Sequence, residues 1–160
     1  MALSVDIRKA LGNFHLAVQF DAGDETLALL GASGCGKSVT LKCIAGILTP
    51  DEGHIELDGV TLYDSASRIN LPPQRRQVGY LFQQYALFPN MTVAQNICVV
   101  PKLLKYSKEQ CDQIVRDMLA MVEMPYEQYA NKYPSEMSGG QQQRIGILRA
   151  LAASPPIVLM

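Results

Sequence analysis

The stretch GASGCGKS, from Gly31 to Ser38, decides the fold of this 160-residue chain. Before it, the continuous apolar run TLALLG, residues 26–31, predicts a buried strand. After it, KSVTLKCIAGIL, residues 37–48, repeats apolar residues at near-helical spacing and predicts a helix. A strand, a glycine-rich loop and a helix in succession are the context in which the pattern G-x-x-x-x-G-K-[ST] indicates a phosphate-binding loop.

The backbone of this loop is expected to hold polyphosphate. Glycines at positions 31, 34 and 36 let successive N–H groups face inward, and the N-terminus of the following helix adds partial positive charge. Lys37 is expected to reach the β- and γ-phosphates, and the Ser38 hydroxyl to ligate Mg²⁺. A glycine turn with a purely structural role is the alternative. The predicted nucleotide contacts are Gly31, Ser33, Gly34, Cys35, Gly36, Lys37, Ser38 and Val39.

Composition limits the class of protein. The chain is 48% hydrophobic and 18% charged, which is ordinary for one globular domain that buries a core. Its formal net charge is −1 and neither sign dominates a segment, so we expect no nucleic-acid partner and no polybasic membrane anchor. Because no apolar run is long enough to cross a bilayer and the amino terminus lacks a signal-peptide pattern, a cytoplasmic location is expected.

The cysteines indicate free thiols in a reducing compartment. The four lie at positions 35, 43, 98 and 111, without a C-x-x-C pair, and only two histidines, His15 and His54, are available to complete a zinc site. Cys35 lies inside the phosphate loop beside Lys37 and the helix start, surroundings that favour a reactive thiolate. A small residue tolerated at that position is the alternative.

The other segments predict two outer strands, a hairpin, a helix and two more buried strands. LSVDIR and FHLAVQF alternate apolar and polar residues, and HIELDGVTLY contains the turn Asp58-Gly59. VGYLF and PIVLM are short apolar runs at residues 78–82 and 156–160. SKEQCDQIVRDMLAMV predicts a helix with Ser107 as its N-cap. Its predicted apolar face consists of Ile114, Met118, Met121 and Val122.

A second motif, MSGGQQQR, runs from Met137 to Arg144 and opens another predicted helix. Ser138 is a suitable N-cap, and this structural role alone would explain the motif. Combined with the phosphate loop, however, it makes the chain resemble the nucleotide-binding subunits of ABC transporters over essentially its whole length. GASGCGKS is similar to their Walker A loop, LFQQYALFPNMTV to their Q-loop segment and MSGGQQQR to their signature, with Met137 where leucine is commoner. P-loop kinases and GTPases lack an S-G-G-Q helix start.

The resemblance implies an α/β P-loop NTPase core of the ABC ATPase type, with an amino-terminal antiparallel β-subdomain and a helical signature segment. It describes residues 1–160 as one incomplete nucleotide-binding domain that lacks the carboxyl-terminal strands, with a helical subdomain at 92–136. The first hundred residues look most like ATPases of molybdate importers, whereas YANKYPSEMSGGQQQRIGILRALAASP is closer to those serving glycine betaine.

The resemblance also implies cofactors and partners. In the family, two subunits pack head to tail and hold ATP and Mg²⁺ between the Walker A loop of one and the signature of the other. Here the signature contacts would be Ser138, Gly139, Gly140 and Gln141. The segment YALFPNMTV would dock onto the membrane subunits of a transporter, which implies a peripheral position at the inner face of the membrane. A surface loop in which Phe88-Pro89 packs inward is the alternative.

Two further site residues follow from the resemblance. Gln83 matches the glutamine that touches Mg²⁺ and the attacking water. The family usually stacks adenine on an aromatic residue of the β-subdomain, and Phe14 is the nearest candidate, with strand packing as the alternative.

The catalytic carboxylates of the family are absent from these 160 residues. The family's next residues after PIVLM would be the Walker B aspartate and glutamate, followed later by the switch histidine, and the chain contains none of them. We therefore expect ATP binding without hydrolysis. The run TLALL would also lie at an open sheet edge and favour self-association with a second copy. The two functional hypotheses are an importer ATPase subunit or fragment, and a non-catalytic nucleotide-binding or protein-interaction module.

Overall fold

The alternating stretches at the amino terminus form the expected antiparallel sheet. The computed structural model describes residues 2–160 and divides into two compact units, the first ending at Val78 and the second beginning at Gly79. The first unit contains a five-stranded sheet in the order β2-β1-β3-β4-β5. Its strands are β1 Leu3–Leu11, β2 Phe14–Ala22, β3 Glu52–Leu57, β4 Val60–Asp64 and β5 Ile69–Asn70.

The predicted hairpin forms between β3 and β4. Asp58 and Gly59 both have positive φ, 50° and 77°, as a two-residue turn between right-twisted strands requires. Alternate residues of β1, among them Val5 and Ile7, are fully buried and fill the interior beneath the sheet. The alternation in the sequence therefore predicted both the strands and their buried face.

Helix α1, Lys37–Ala45, follows the glycine-rich loop as predicted, and its carboxyl end is held by an arginine that the sequence did not single out. Arg76 is buried and donates hydrogen bonds from Nη1 to the carbonyls of Cys43, at 2.8 Å, and Ile44, at 2.9 Å. Gly46 leaves room for this guanidinium, since a Cβ there would lie 2.6 Å from Arg76 Nε. The polar connection before β6 thus has a structural role.

The predicted strand at residues 26–30 is wrong. This segment has no regular secondary structure, and within the described residues 2–160 no strand pairs with it. Leu27 is 45% exposed and Leu30 is 91% exposed. A strand needs hydrogen-bonding neighbours for its backbone, and apolar composition alone does not provide them.

The second unit packs helices around its own apolar core. A two-stranded sheet joins β6 Val78–Tyr80 to β7 Ile157–Leu159, so both predicted strands form. Strand β6 is shorter than predicted, because the chain turns after Leu81 and leaves Phe82 41% exposed. The helices are α2 Val93–Ile97, α3 Val99–Leu103, α4 Lys108–Met121, α5 Tyr126–Tyr129 and α6 Gly139–Leu151.

Helix α4 begins at the predicted N-cap but buries a different face. The Ser107 hydroxyl accepts a hydrogen bond from the backbone N–H of Gln110, whose side chain accepts one from the N–H of Ser107. The predicted apolar face was displaced by one position, since Ile114 and Met118 are only partly buried and Met121 is 66% exposed. The buried stripe consists of Cys111, Val115 and Leu119.

Two predictions concern membrane-spanning segments and the division of the chain into domains. No helix within residues 2–160 combines the length and apolar character needed to cross a membrane. A single nucleotide-binding domain over 1–160, with a helical subdomain at 92–136, stays a prediction.

Candidate functional site

The lysine of the glycine-rich loop is held by the loop itself. Lys37 Nζ donates hydrogen bonds to the carbonyl oxygens of Gly31, at 2.7 Å, and Ala32, at 2.9 Å, and lies 3.6 Å from Cys35 Sγ. The loop between these carbonyls and α1 is exposed from Gly31 to Cys35. The ammonium group is therefore positioned over an open loop, where an anion can replace its carbonyl partners.

Glycine is required at two loop positions for backbone reasons. Gly34 and Gly36 have φ of 83° and 100°, a backbone conformation that residues with a Cβ atom rarely adopt. Gly36 is also buried, and a Cβ on it would lie 2.6 Å from Leu16 Cδ1 and 3.0 Å from Phe14 Cζ. Strand β2 thus packs directly onto the start of α1, and the half-buried Phe14 ring reaches the predicted phosphate site.

The N-terminus of α1 faces this loop, and no side chain of the helix neutralises its partial positive charge or caps its free N–H groups. The first turn contains no acidic residue, and Gly36 serves as N-cap without a side-chain acceptor. Ser38 is exposed in that turn, which suits a hydroxyl that ligates a metal ion. Thr40, which sequence reasoning missed, is buried and donates from Oγ1 to the Gly36 carbonyl at 3.1 Å.

The second motif forms a preorganised helix start. The Ser138 hydroxyl accepts from the N–H of Gln141 at 3.3 Å, and the Gln141 side chain accepts from the N–H of Ser138 at 3.0 Å. Met137, the residue before the N-cap, is buried, whereas Gly139 and Gly140 are exposed. The amides of this first turn are therefore accessible to an anion, on a backbone fixed by a capping box.

Gln83 lies in an exposed turn of the second unit. The N–H of Tyr85 donates to the Phe82 carbonyl at 2.8 Å, which makes Gln83 the second residue of a β-turn. Beyond this turn, the fully buried Asn96 side chain holds the backbone of residues 88–91. Its Oδ1 accepts a hydrogen bond from the Phe88 N–H at 2.8 Å, and its Nδ2 donates one to the Met91 carbonyl at 3.0 Å. Phe88 itself is exposed, so the inward-packing alternative is wrong.

The predicted site residues fall into two sets. Residues 31–39 all belong to the first unit, and both Gln83 and residues 138–141 belong to the second. Besides Thr40, sequence reasoning missed three side chains that hold the backbone around these segments: Arg76, Asn96 and Arg149. For Arg149, the only signal in the sequence was a charged residue inside the apolar run ILRAL.

The cysteines differ in exposure, and only Cys35 is exposed among the four thiols. Burial raises the pKa of Cys43 to about 11 and that of Cys98 to about 12, the latter with help from a hydrogen bond with Cys111. Among residues 2–160, no group of three or more His, Cys, Asp or Glu side chains is arranged to hold a metal ion. Ser38 in the first unit and Gln83 in the second stay predicted Mg²⁺ contacts.

Comparison with known proteins gives consistent matches. The family described as ABC transporter matches residues 15–160. Choline transport ATP-binding protein OpuBA of Bacillus subtilis is 46% identical over 96% of this chain and 38% of its own length. Molybdenum import ATP-binding protein ModC of Paramagnetospirillum magneticum is 41% identical over 99% of this chain and 42% of its own length. The chain therefore spans less than half of either relative.

Solved structures agree with the sequence matches. The dimeric ATP-binding cassette MJ0796, in a post-hydrolysis state bound to ADP and Pi, superposes with a TM-score of 0.79 at 31% sequence identity. That match covers 99% of this chain and 72% of the other. The fold is the α/β ABC cassette fold with its antiparallel sheet, as the sequence predicted.

Proposed function

Since the chain belongs to the ABC transporter family, we propose that it is the ATP-binding subunit, or part of that subunit, of an ABC importer. Its role is to bind Mg-ATP through Gly31, Ser33, Gly34 and Cys35 to Val39. The observation that carries the proposal is the ammonium group of Lys37, held on the carbonyls of Gly31 and Ala32 at the uncompensated N-terminus of α1.

The proposed assembly is a head-to-tail dimer. Ser138, Gly139, Gly140 and Gln141 of one copy contact the γ-phosphate of ATP bound to the Walker A loop of the other. Two observations support this role: the capping box of α6 and the exposure of its first-turn glycines. The similar cassette MJ0796 is a dimer in its solved structure, which supports the same arrangement here. Membrane subunits are the second proposed partner, at the inner face of the membrane.

The transported solute is proposed only as a class. The names of the relatives refer to choline, osmoprotectants and molybdenum. We propose import of a small solute, either a quaternary ammonium osmoprotectant or molybdate.

These 160 residues are proposed to bind ATP without turning it over. They contain neither an aspartate and glutamate after the apolar strand β7 nor a histidine beyond His54. Loss of a positioned base costs on the order of 10² to 10⁴ in rate. A non-catalytic nucleotide-binding or protein-interaction module is the second candidate.

Calorimetric titration with Mg-ATP tests the proposal. Wild-type chain is expected to bind, Lys37→Ala to lose binding, and Lys42→Ala, an exposed lysine later on the same helix, to bind like wild type. Absence of binding in the wild type would contradict the proposed function. Steady phosphate release that disappears in Lys37→Ala would contradict the absence of turnover.

A further inference from the structure

The turn that carries Gln83 is followed by two residues in an unfavourable backbone conformation. Tyr85 and Ala86 have φ of 58° and 43°, consecutive left-handed positions without a glycine. Residues with a Cβ disfavour this region, because the Cβ atom crowds the following carbonyl oxygen. The surroundings must therefore hold this conformation in place.

The Arg149 guanidinium supplies that restraint. Nη1 donates to the Ala86 carbonyl at 2.7 Å and Nη2 to the Tyr85 carbonyl at 2.8 Å. The guanidinium also lies 5.5 Å from the centre of the Phe88 ring. The two adjacent carbonyls both face the guanidinium, and its planar fork of donors can bond to both at once. A lysine offers a single ammonium group and cannot match both in the same geometry.

Helix α6 brings the turn close enough for these bonds through a glycine one turn earlier. Gly146 is buried, and a Cβ on it would lie 3.2 Å from both Leu81 Cδ1 and Tyr85 Cβ. Positions 146 and 149 are three residues apart and share one helix face. Helix α6 therefore contacts the turn that carries Gln83 in two ways: Gly146 allows close packing, and Arg149 donates hydrogen bonds.

We propose that Arg149 is a positioning residue for Gln83: it holds the Tyr85–Ala86 turn on α6 and thereby fixes the backbone from which the Gln83 side chain extends. The inference rests on the proposed function and on the family resemblance, which assigns to Gln83 a contact with Mg²⁺. Because α6 also starts with the signature, the arginine joins the two motifs of the second unit through one rigid element.

Amide hydrogen exchange tests the restraint without nucleotide. Arg149→Lys is expected to speed exchange of residues 82–88 about tenfold, whereas Arg116→Lys, on an exposed arginine of α4, leaves it unchanged. Adding Ala86→Gly to Arg149→Lys is expected to restore most of the protection, because glycine adopts φ of 43° without strain. Unchanged exchange in Arg149→Lys, or no rescue by glycine, would overturn the proposal.

Binding of ATP with and without Mg²⁺ tests the link to Gln83. Arg149→Lys is expected to reduce the Mg²⁺-dependent gain in affinity as far as Gln83→Ala does, and to leave metal-free ATP affinity within about twofold of wild type. If Mg²⁺ raises the ATP affinity of Arg149→Lys as much as that of wild type, the positioning role is overturned. It is also overturned if Mg²⁺ leaves the ATP affinity of the wild type unchanged. A wild-type chain that binds no ATP would contradict the proposed function instead, and the exchange data would then decide the role of Arg149.

Discussion

The ring of Phe14 lies against Gly36, so close that a Cβ on the glycine would be 3.0 Å from the ring atom Cζ. The pair joins the β-sheet of the first unit to the N-cap of the phosphate-loop helix. Phe14, the sequence-based candidate for adenine stacking, therefore lies beside the start of the phosphate-loop helix. The ring is half-buried, which leaves part of it free to contact a base.

Phe14→Ala is therefore expected to weaken ATP binding about tenfold while leaving pyrophosphate binding unchanged, because stacking concerns only the base. Calorimetry with both ligands measures this difference. Phe20→Ala, in the same strand, is the matched control. Equal losses for both ligands would show that Phe14 supports the loop and does not stack on adenine.

Arg76→Ala is expected to lower the free energy of unfolding by about 3 kcal/mol, because it removes a buried guanidinium that satisfies carbonyls at the end of α1. Urea denaturation followed by circular dichroism measures the change. Arg75→Ala, at an exposed neighbouring position, is expected to alter stability by less than about 0.5 kcal/mol. Similar values for the two variants would contradict this role of Arg76.

Acid is expected to destabilise the sheet through Asp51. Hydrogen bonds from the Ala10 N–H and the Lys9 ammonium lower the pKa of Asp51 below its ordinary value of 3.8. A lowered pKa in the folded state means that the stabilisation is complete above 3.8 and is lost as pH falls through the folded-state value. Urea titrations from about pH 6 downward should show a shallower acid loss in Asp51→Asn, and identical pH profiles would refute the assignment.

Thiol modification is expected to separate Cys35 from the other three cysteines. A disulfide reagent at about pH 8 should react rapidly with one thiol, since burial shields Cys43, Cys98 and Cys111 and raises the pKa of the first two. Mg-ATP should slow this reaction, and Cys35→Ser should abolish the rapid phase. Rapid reaction that ATP leaves unchanged would place the thiol outside the region that nucleotide covers.

The exposed segment 26–30 is expected to promote self-association. Leu30 is almost fully exposed in a segment that pairs with no strand among residues 2–160, and an apolar segment of this kind can pair with another copy. Leu30→Lys should lower the apparent mass in light scattering, whereas Val60→Lys, at an exposed apolar residue of the β3–β4 hairpin, should not. A wild-type chain that remains monomeric at working concentration would contradict this prediction.

Sequence reasoning was most successful where structure is local. The Asp58-Gly59 hairpin and the helix starts at Ser107 and Ser138 were all predicted, because their hydrogen bonds join residues at most three apart. It was less successful for the buried face of α4, where near-equal apolar stripes compete and packing against the rest of the second unit selects Cys111, Val115 and Leu119.

By itself, the sequence determined the family, the glycine-rich loop and the signature, since these depend on residue types at short fixed spacings. Only the tertiary structure decided which side chains hold those segments. Arg76 bonds to a carbonyl 33 residues away and Arg149 to one 63 residues away, so the residues near each arginine in the sequence do not predict these contacts. Pairing across such distances depends on how elements pack, which also explains why the apolar run at 26–30 predicted a strand that has no partner among residues 2–160.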